Sequence, residues 1–535
     1  MRNIIFLVVD TLRQDRLGCS GHRPAVTPNL DKLVREGTSC SAHFAAGGNT
    51  QVSFPTMFTS TRPLDYGGYN DGIRRRPVSF PETLQDNGYQ TFGVVTGHPA
   101  SSHFGYDRGF DEFIDLIDLY QWFRSIFKTM LRELFERWQD GQLSDDEMFS
   151  ALHKTYGRCL EDSEGYIASL DSCGVPSRGL PRGKLLVDVR AERELLARDP
   201  HAICEKLIEL DQDFQYFFGE PAVTDRIRNW IARRDRRRAL INRKVALVSE
   251  RRAFEAHTVN RMFKKFLSRR DTDRPFFAFL HYFDLHESKL LLSNHSSRNI
   301  ARYPAALYAA ARGRRKKQGG LLYDMVLSTV DYELGRLRRM LERHGVADDT
   351  VFVITGDHGT EAGAPYRKVG GNFAKLFYEE FVHVPLIVHG PGVPAREIDT
   401  LASHFDIPPT ILDIAGLPVP PSFEGEPLSR RVQMPPPYVW NENAGNGRCD
   451  LDEKPLYLSL RCDRYKSIYE SHDFVVSERE FYDLSEDPGE KNDLAASDRE
   501  KPLRQDRLRA VQERVNRIRR FLNTETQAEA VSKSA

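Results

Sequence analysis

Apolar residues gather along this chain in short unbroken runs that end abruptly on polar side chains. The first, NIIFLVV at residues 3–9, stops at Asp10. A continuous β-branched and apolar run of this length is what a strand buried on both faces of a parallel sheet requires. Three more runs take the same form: TFGVVT before Gly97, RPFFAFLHYF before Asp284 and TVFVITG before Asp357. Between them apolar positions fall at helical spacing in TPNLDKLVREG, SFPETLQDNG and LLYDMVLSTVDYELGRLRRMLERHG, the last closed by a glycine C-cap signal. The alternation predicts an α/β domain with a mostly parallel sheet flanked by helices. Ligands of such sheets sit beyond the carboxyl ends of the strands, so Asp10, His281, His286, Asp357 and His358 are expected to converge on one crevice.

The pattern changes from about 115 to 270, where long, charged, helix-favouring sequence such as LYQWFRSIFKTMLRELFERWQD replaces the strand signals. It predicts a helical insertion whose amphipathic faces pack on the main domain, cap the site or build a homo-oligomer interface. Beyond QMPPPYVWN, the runs PLYLSLRCD, YKSIYE and EFYDLSEDPG predict a small antiparallel sheet. The expected organisation is a catalytic domain over 1–430, carrying the insertion at 115–270, and a C-terminal α+β subdomain over 431–523. Residues 524–535 lack apolar periodicity and are expected to be disordered.

Composition removes several alternatives. At 535 residues a sizeable core is available, and Lys plus Arg equals Asp plus Glu at 76 each. That balance gives no whole-chain field to draw in nucleic acid or an anionic membrane. The 7 cysteines are scattered without CxxC spacing, as expected of reduced thiols. The opening apolar run is too short for a signal peptide, and nothing approaches the length of a membrane span, so a cytoplasmic location is expected.

The segment VITGDHGTEAG sets Asp357 and His358 side by side directly after a buried strand, among glycines that permit close approach of a ligand. A carboxylate and an imidazole together suit a divalent cation. Asp10 ends a different strand at the same expected edge, where a carboxylate without a partner is costly. With these residues in place, the chain resembles the sulfatase branch of the alkaline phosphatase superfamily. The resemblance rests on NIIFLVVDTLRQDRLGCSG, TPNLDKLVREGT, RGFDEF, HYFDLHES, YDMVLSTVDYELGRL, VFVITGDHG, LFYEEFVHVPLIVHGPG, HFDIPPTILDIAGLP and FYDLSEDPGEKNDL, in that order.

That resemblance implies an alkaline-phosphatase-like fold and a metal held by Asp10, Asp357 and His358 together with the nucleophile's oxygen. The ion is Mn2+, Ca2+, Mg2+ or Zn2+. Thr11 stands where the family often has a second acid, which removes one anionic ligand. The cysteine of the family's C-x-P-x-R motif is absent, and its counterpart TQVSFPTMFTS offers Thr50 as nucleophile and metal ligand, or Ser53 if the prolines are paired. The resemblance further implies His286 for leaving-group protonation or substrate contact. It gives Lys375, with Lys368 as rival, for clamping the substrate's anionic oxygens, and puts His98 near the pocket. His281 is expected to belong to the strand more than to the pocket. The implied activity is metal-dependent hydrolysis of phosphate, phosphonate or sulfate esters on a small-molecule or carbohydrate substrate, with phosphorus favoured over sulfur. A soluble phosphoglycerol- or phosphoethanolamine-type transferase and a non-catalytic binding protein are the alternatives.

Overall fold

The computed structural model describes residues 2–116, 141–172, 193–199, 255–287, 319–361, 377–444 and 455–534, with a few positions between them. The chain forms two compact units, one of Met1–Asp115, Val259–Leu291 and His295–Ala535, the other of Leu116–Thr258 with Leu292–Asn294. In the second unit the main described element is a helix, Asp145–Ser172. Glu147 accepts from the backbone and hydroxyl of Ser144 just before it, satisfying a helix N-terminus.

The first unit is built on an eight-stranded sheet. In chain order its strands are β1 (Asn3–Val9), β2 (Thr38–Cys40), β4 (Gln90–Val95), β5 (Glu112–Asp115), β6 (Phe276–Tyr282), β7 (Thr350–Gly356), β8 (Leu386–His389) and β9 (Arg396–Ile398). A two-residue strand β3 (His43–Phe44) pairs with β10 (Ala402–Ser403) in a separate ribbon. The order is β5-β4-β6-β1-β7-β8-β2-β9, and the first five strands run parallel. β8 is antiparallel to both of its neighbours.

β1 lies between β6 and β7, which is why its six residues after Asn3 are apolar on both faces. One face of the three central strands presents Ile4, Phe6 and Val8, Phe277 and Phe279, and Val351 and Val353. Against it pack Phe54, Met57 and Phe58 of α2 (Thr50–Thr59), Phe80 and Leu84 of α3 (Phe80–Asp86), and Ile411 and Leu412 of α7 (Ile407–Ala415). Opposite, Phe263 and Phe266 of α5 (Ala256–Arg269) stack on Phe92 and Phe276. Asp331 of α6 (Gly319–Arg343) accepts from the backbone N–H groups of Asn29 and Leu30, the first turn of α1 (Pro28–Glu36). A side chain from another helix thus does the work of an N-cap. Gly335 lets the two helices close to that distance, since a Cβ there meets Asn29 at 2.8 Å.

β11 (Val439–Asn443), β12 (Leu456–Arg461), β13 (Tyr465–His472) and β14 (Val475–Asp483) form a fully antiparallel second sheet. Val511, Val515 and Ile518 of α8 (Lys501–Ser534) cover it, in one cluster with Leu458, Leu460 and Tyr469. Arg514 clasps Glu442 of β11 at 2.7 and 2.9 Å and Asp65 at 2.6 Å, three buried or half-buried charges held as one network. α8 runs on through residues 524–534 to Ser534. Ala, Glu, Gln and Lys without Gly or Pro favour helix even where no apolar stripe repeats.

Candidate active site

The register of the central strands assembles the site. Val9 pairs with Gly356 on one side and Tyr282 on the other, so Asp10 and Asp357 leave the sheet at the same level. His281 pairs with Val8, two residues before Asp10, and therefore points to the same face as both acids. That is the face covered by α2, whose first residue is Thr50.

Donor atoms of Asp10, His281 and Asp357 lie within 4.8 Å of one another, and all three residues are buried. The Thr50 hydroxyl donates to Asp10 Oδ2 at 3.2 Å and sits 3.3 Å from His358 Nε2. His358 Nε2 is in turn 3.5 Å from Asp357 Oδ2. The His358 ring is oriented from behind by Nδ1–H donating to Gly359 O at 2.6 Å, which leaves a lone pair on Nε2. Asp357 Oδ1 accepts from the backbone N–H of Thr11 at 3.0 Å and of His358 at 2.8 Å, so its other oxygen is turned inward. Burial pushes His281 down to about 4 and lowers His358 as well, keeping both imidazoles neutral and able to ligate. Buried carboxylates beside neutral imidazoles, with Asp357 Oδ2 and both His281 ring nitrogens lacking hydrogen-bond partners among the described residues, fit a divalent cation.

The loops that carry these groups are pinned. Thr11 takes a φ of +59°, a left-handed conformation rare for a β-branched residue. Its N–H bond to Asp357 and the Tyr323 hydroxyl donating to its carbonyl at 2.8 Å hold it there. Asn49 caps α2 by accepting from Val52 N at 3.0 Å, fixing Thr50 at the helix start. Ser53 is wholly buried and donates to Gly47 O at 2.9 Å, so its hydroxyl is occupied in the turn.

Sequence reading passes over His404 and, while counting His281 among the residues that converge on the crevice, assigns it to the strand more than to the pocket; the strand register sets its ring on the same face as the two acids. The signal was its parity with Phe277 and Phe279, matched to Asp10 across β1. His404 bridges the ends of two segments, accepting from Ala46 N at 3.3 Å through Nδ1 and donating to Gly356 O at 3.0 Å through Nε2. It ties the loop leading to Thr50 to the strand leading to Asp357. His286 is exposed on the turn after β6 and stacks on Phe283 with ring centroids 4.4 Å apart. Lys368, Lys375 and the His98 side chain lie outside the described residues.

His404 works only when neutral, and its neighbour His43, 5.4 Å away ring to ring, is pushed down to about 3 by burial. An unfolded histidine takes its proton near 6.5, the folded His43 not until about 3. Between those values the unfolded chain binds more protons, so acid favours unfolding, by up to about 1.4 kcal/mol per pH unit for this residue. Urea titrations from pH 6.5 to 4 are expected to show falling stability, and a shallower fall in His43→Gln.

Among known families, the sulfatase model matches residues 2–156 and 201–417. The chain belongs to the sulfatase family. A second model, the C-terminal part of N-sulphoglucosamine sulphohydrolase, matches residues 371–519. Bovine arylsulfatase K is 32% identical over 187 residues, a match spanning 32% of this chain and 33% of that protein. The chain thus covers about a third of the length of that relative. An N-acetylglucosamine-6-O-sulfatase of Bacteroides thetaiotaomicron is 23% identical over 524 residues, 92% of this sulfatase-family chain and 82% of the relative. In three dimensions a phosphonate monoester hydrolase of Agrobacterium radiobacter aligns with a TM-score of 0.56 at 18% identity, covering 97% and 96% of the two chains. The fold is therefore the alkaline-phosphatase-like one that the motifs imply. Among the described residues no helix is long and apolar enough to cross a membrane.

Proposed function

We propose that this sulfatase-family protein hydrolyses an anionic ester through a covalent ester on Thr50. The observation that carries the reading is the Thr50 hydroxyl set between Asp10 Oδ2 and His358 Nε2 at the N-terminus of a buried helix. Asp10, Asp357, His358 and the Thr50 oxygen are the residues to hold a divalent cation. Such an ion, when bound, supplies Lewis-acid stabilisation of charge on the transferred group and acidifies the hydroxyl beside it.

Thr50 gives its proton to Asp10 Oδ2, the acceptor it already has, and its oxygen attacks the ester's phosphorus or sulfur. The leaving oxygen departs with the bonding pair and takes a proton from an acid, the role proposed for His286, exposed on the turn after β6. Water then attacks the same central atom. Thr50 leaves with its bonding pair, recovers a proton and frees the phosphate, phosphonate or sulfate product. A threonine carries one hydroxyl and has no second one through which to expel sulfate by elimination, so its ester depends on external attack. That requirement favours phosphate and phosphonate esters over sulfate, and Lys375 or Lys368 is the cation to steady the anionic oxygens.

Nitrophenyl phosphate, its diester, a phenylphosphonate monoester and nitrophenyl sulfate, each assayed with Mn2+, Zn2+, Mg2+ and Ca2+, test the class of reaction. Metal-dependent release from a phosphorus ester, retained in Ser53→Ala, is expected. Turnover of the sulfate alone overturns the phosphorus preference, and full loss in Ser53→Ala moves the nucleophile.

A further inference from the structure

Within the proposed metal centre, on which this rests, we infer that His281 is a direct ligand, giving the ion two imidazole donors and making the site one for a transition cation of the Zn2+, Co2+ or Fe2+ type in preference to Ca2+ or Mg2+. The residue is fully buried, yet neither ring nitrogen has a hydrogen-bond partner among the described residues. A neutral imidazole carries one N–H donor and one lone pair, and sealing both away from water without a partner is costly. A structural histidine in this protein looks different: His404 uses both of its nitrogens on backbone groups.

The ring has little freedom to find a partner by turning. Phe54 meets it edge-on at 5.3 Å and Phe283 lies 6.2 Å away. On a third side the backbone of Gly97 is so close that a Cβ there comes within 3.1 Å of Cε1. Held this way, Nε2 is 3.8 Å from Asp10 Oδ2, beyond hydrogen-bonding range. It is the separation of two donors that share one ion, whose bonds of about 2.0–2.2 Å set neighbouring ligands about 3–4 Å apart. Asp357 completes the group, the donor atoms of all three residues lying within 4.8 Å of one another, slightly wider than a formed coordination shell.

The consequence is selectivity. Calcium and magnesium take oxygen shells, whereas imidazole nitrogen suits zinc, iron and their neighbours. With Thr11 carrying a hydroxyl rather than a carboxylate beside Asp10, the balance of charge and donor type moves the same way.

Metal-stripped protein titrated calorimetrically with Co2+, Zn2+, Mg2+ and Ca2+ tests this, together with the visible absorption of the Co2+ form. Wild type, His281→Asn, His281→Gln and Asp357→Asn are compared after circular dichroism has shown each folded. Expected are tighter Co2+ and Zn2+ than Ca2+ binding, a loss of about 10–100-fold in Co2+ affinity in both His281 variants, and a changed Co2+ spectrum as nitrogen leaves the shell. Unchanged Co2+ affinity and spectrum in both His281 variants, with binding lost in Asp357→Asn, overturns the role of His281 and leaves the metal centre standing. Absence of binding in wild type overturns the metal-dependent reading itself.

Discussion

Thr50→Ala lowers kcat on the protein's ester substrate by on the order of 10^4-fold or more while leaving KM and thermal stability nearly unchanged, the signature of a lost nucleophile. The stability half of this expectation comes from the local structure. Thr50 is the first residue of α2, alanine is the better helix former, and the cap at that terminus belongs to Asn49. The core-facing residues of the helix, Phe54, Met57 and Phe58, are untouched by the change. If Thr50 were only a loop-closing hydroxyl, its removal would cost stability and little rate. Steady-state kinetics and a melting curve on one variant separate the two outcomes, and a covalent adduct on the peptide containing Thr50, caught by acid quench and mass spectrometry in wild type, completes the test. Retained turnover in Thr50→Ala rejects the assignment.

Asp357→Asn is the second large effect, and it is expected to move activity and stability in opposite directions. The amide oxygen continues to accept from the N–H groups of Thr11 and His358, so the loop keeps its shape. What disappears is the charge on the inward oxygen. Activity falls by on the order of 10^3-fold or more because the cation's anionic ligand is gone. In the metal-free protein, however, two buried carboxylates face one another within 4.8 Å. At an effective dielectric of about 20 such a pair repels by roughly 3 kcal/mol. Stripped Asp357→Asn should therefore unfold at higher temperature than stripped wild type, and added metal should raise the melting point of wild type only. A stripped variant that melts lower than stripped wild type shows the carboxylate pair to be no source of strain.

Much of this arrangement can be read from the chain because the central strands are buried on both sides. β1 and β7 carry no charged residue until they end, so Asp10 and Asp357 mark the sheet edge and with it the candidate site. Thr50 stands out in the chain through the spacing of its motif, with Ser53 as its rival; in the structure the serine hydroxyl donates to Gly47 O. His281 was named but weighted to the strand, for a different reason. It sits inside a strand otherwise made of aromatic and aliphatic residues, and only pairing with β1 shows which side it faces. His404 was equally opaque, because its partners are backbone groups far away in sequence. The C-terminal helix, Lys501–Ser534, was not read from the chain, because its last turns carry no apolar stripe.

The three strand ends that hold Asp10, His281 and Asp357 are neighbours in the sheet but come from widely separated parts of the chain. Their side chains meet only when β6, β1 and β7 have paired in that order and in the observed register. A slip of one residue sends a donor to the opposite face. A cation that needs all three consequently has no affinity for misordered or half-assembled chains, and its binding free energy is added to the correct topology alone. On the proposed reading, the same three side chains report both the correct strand order and the assembly of the metal centre.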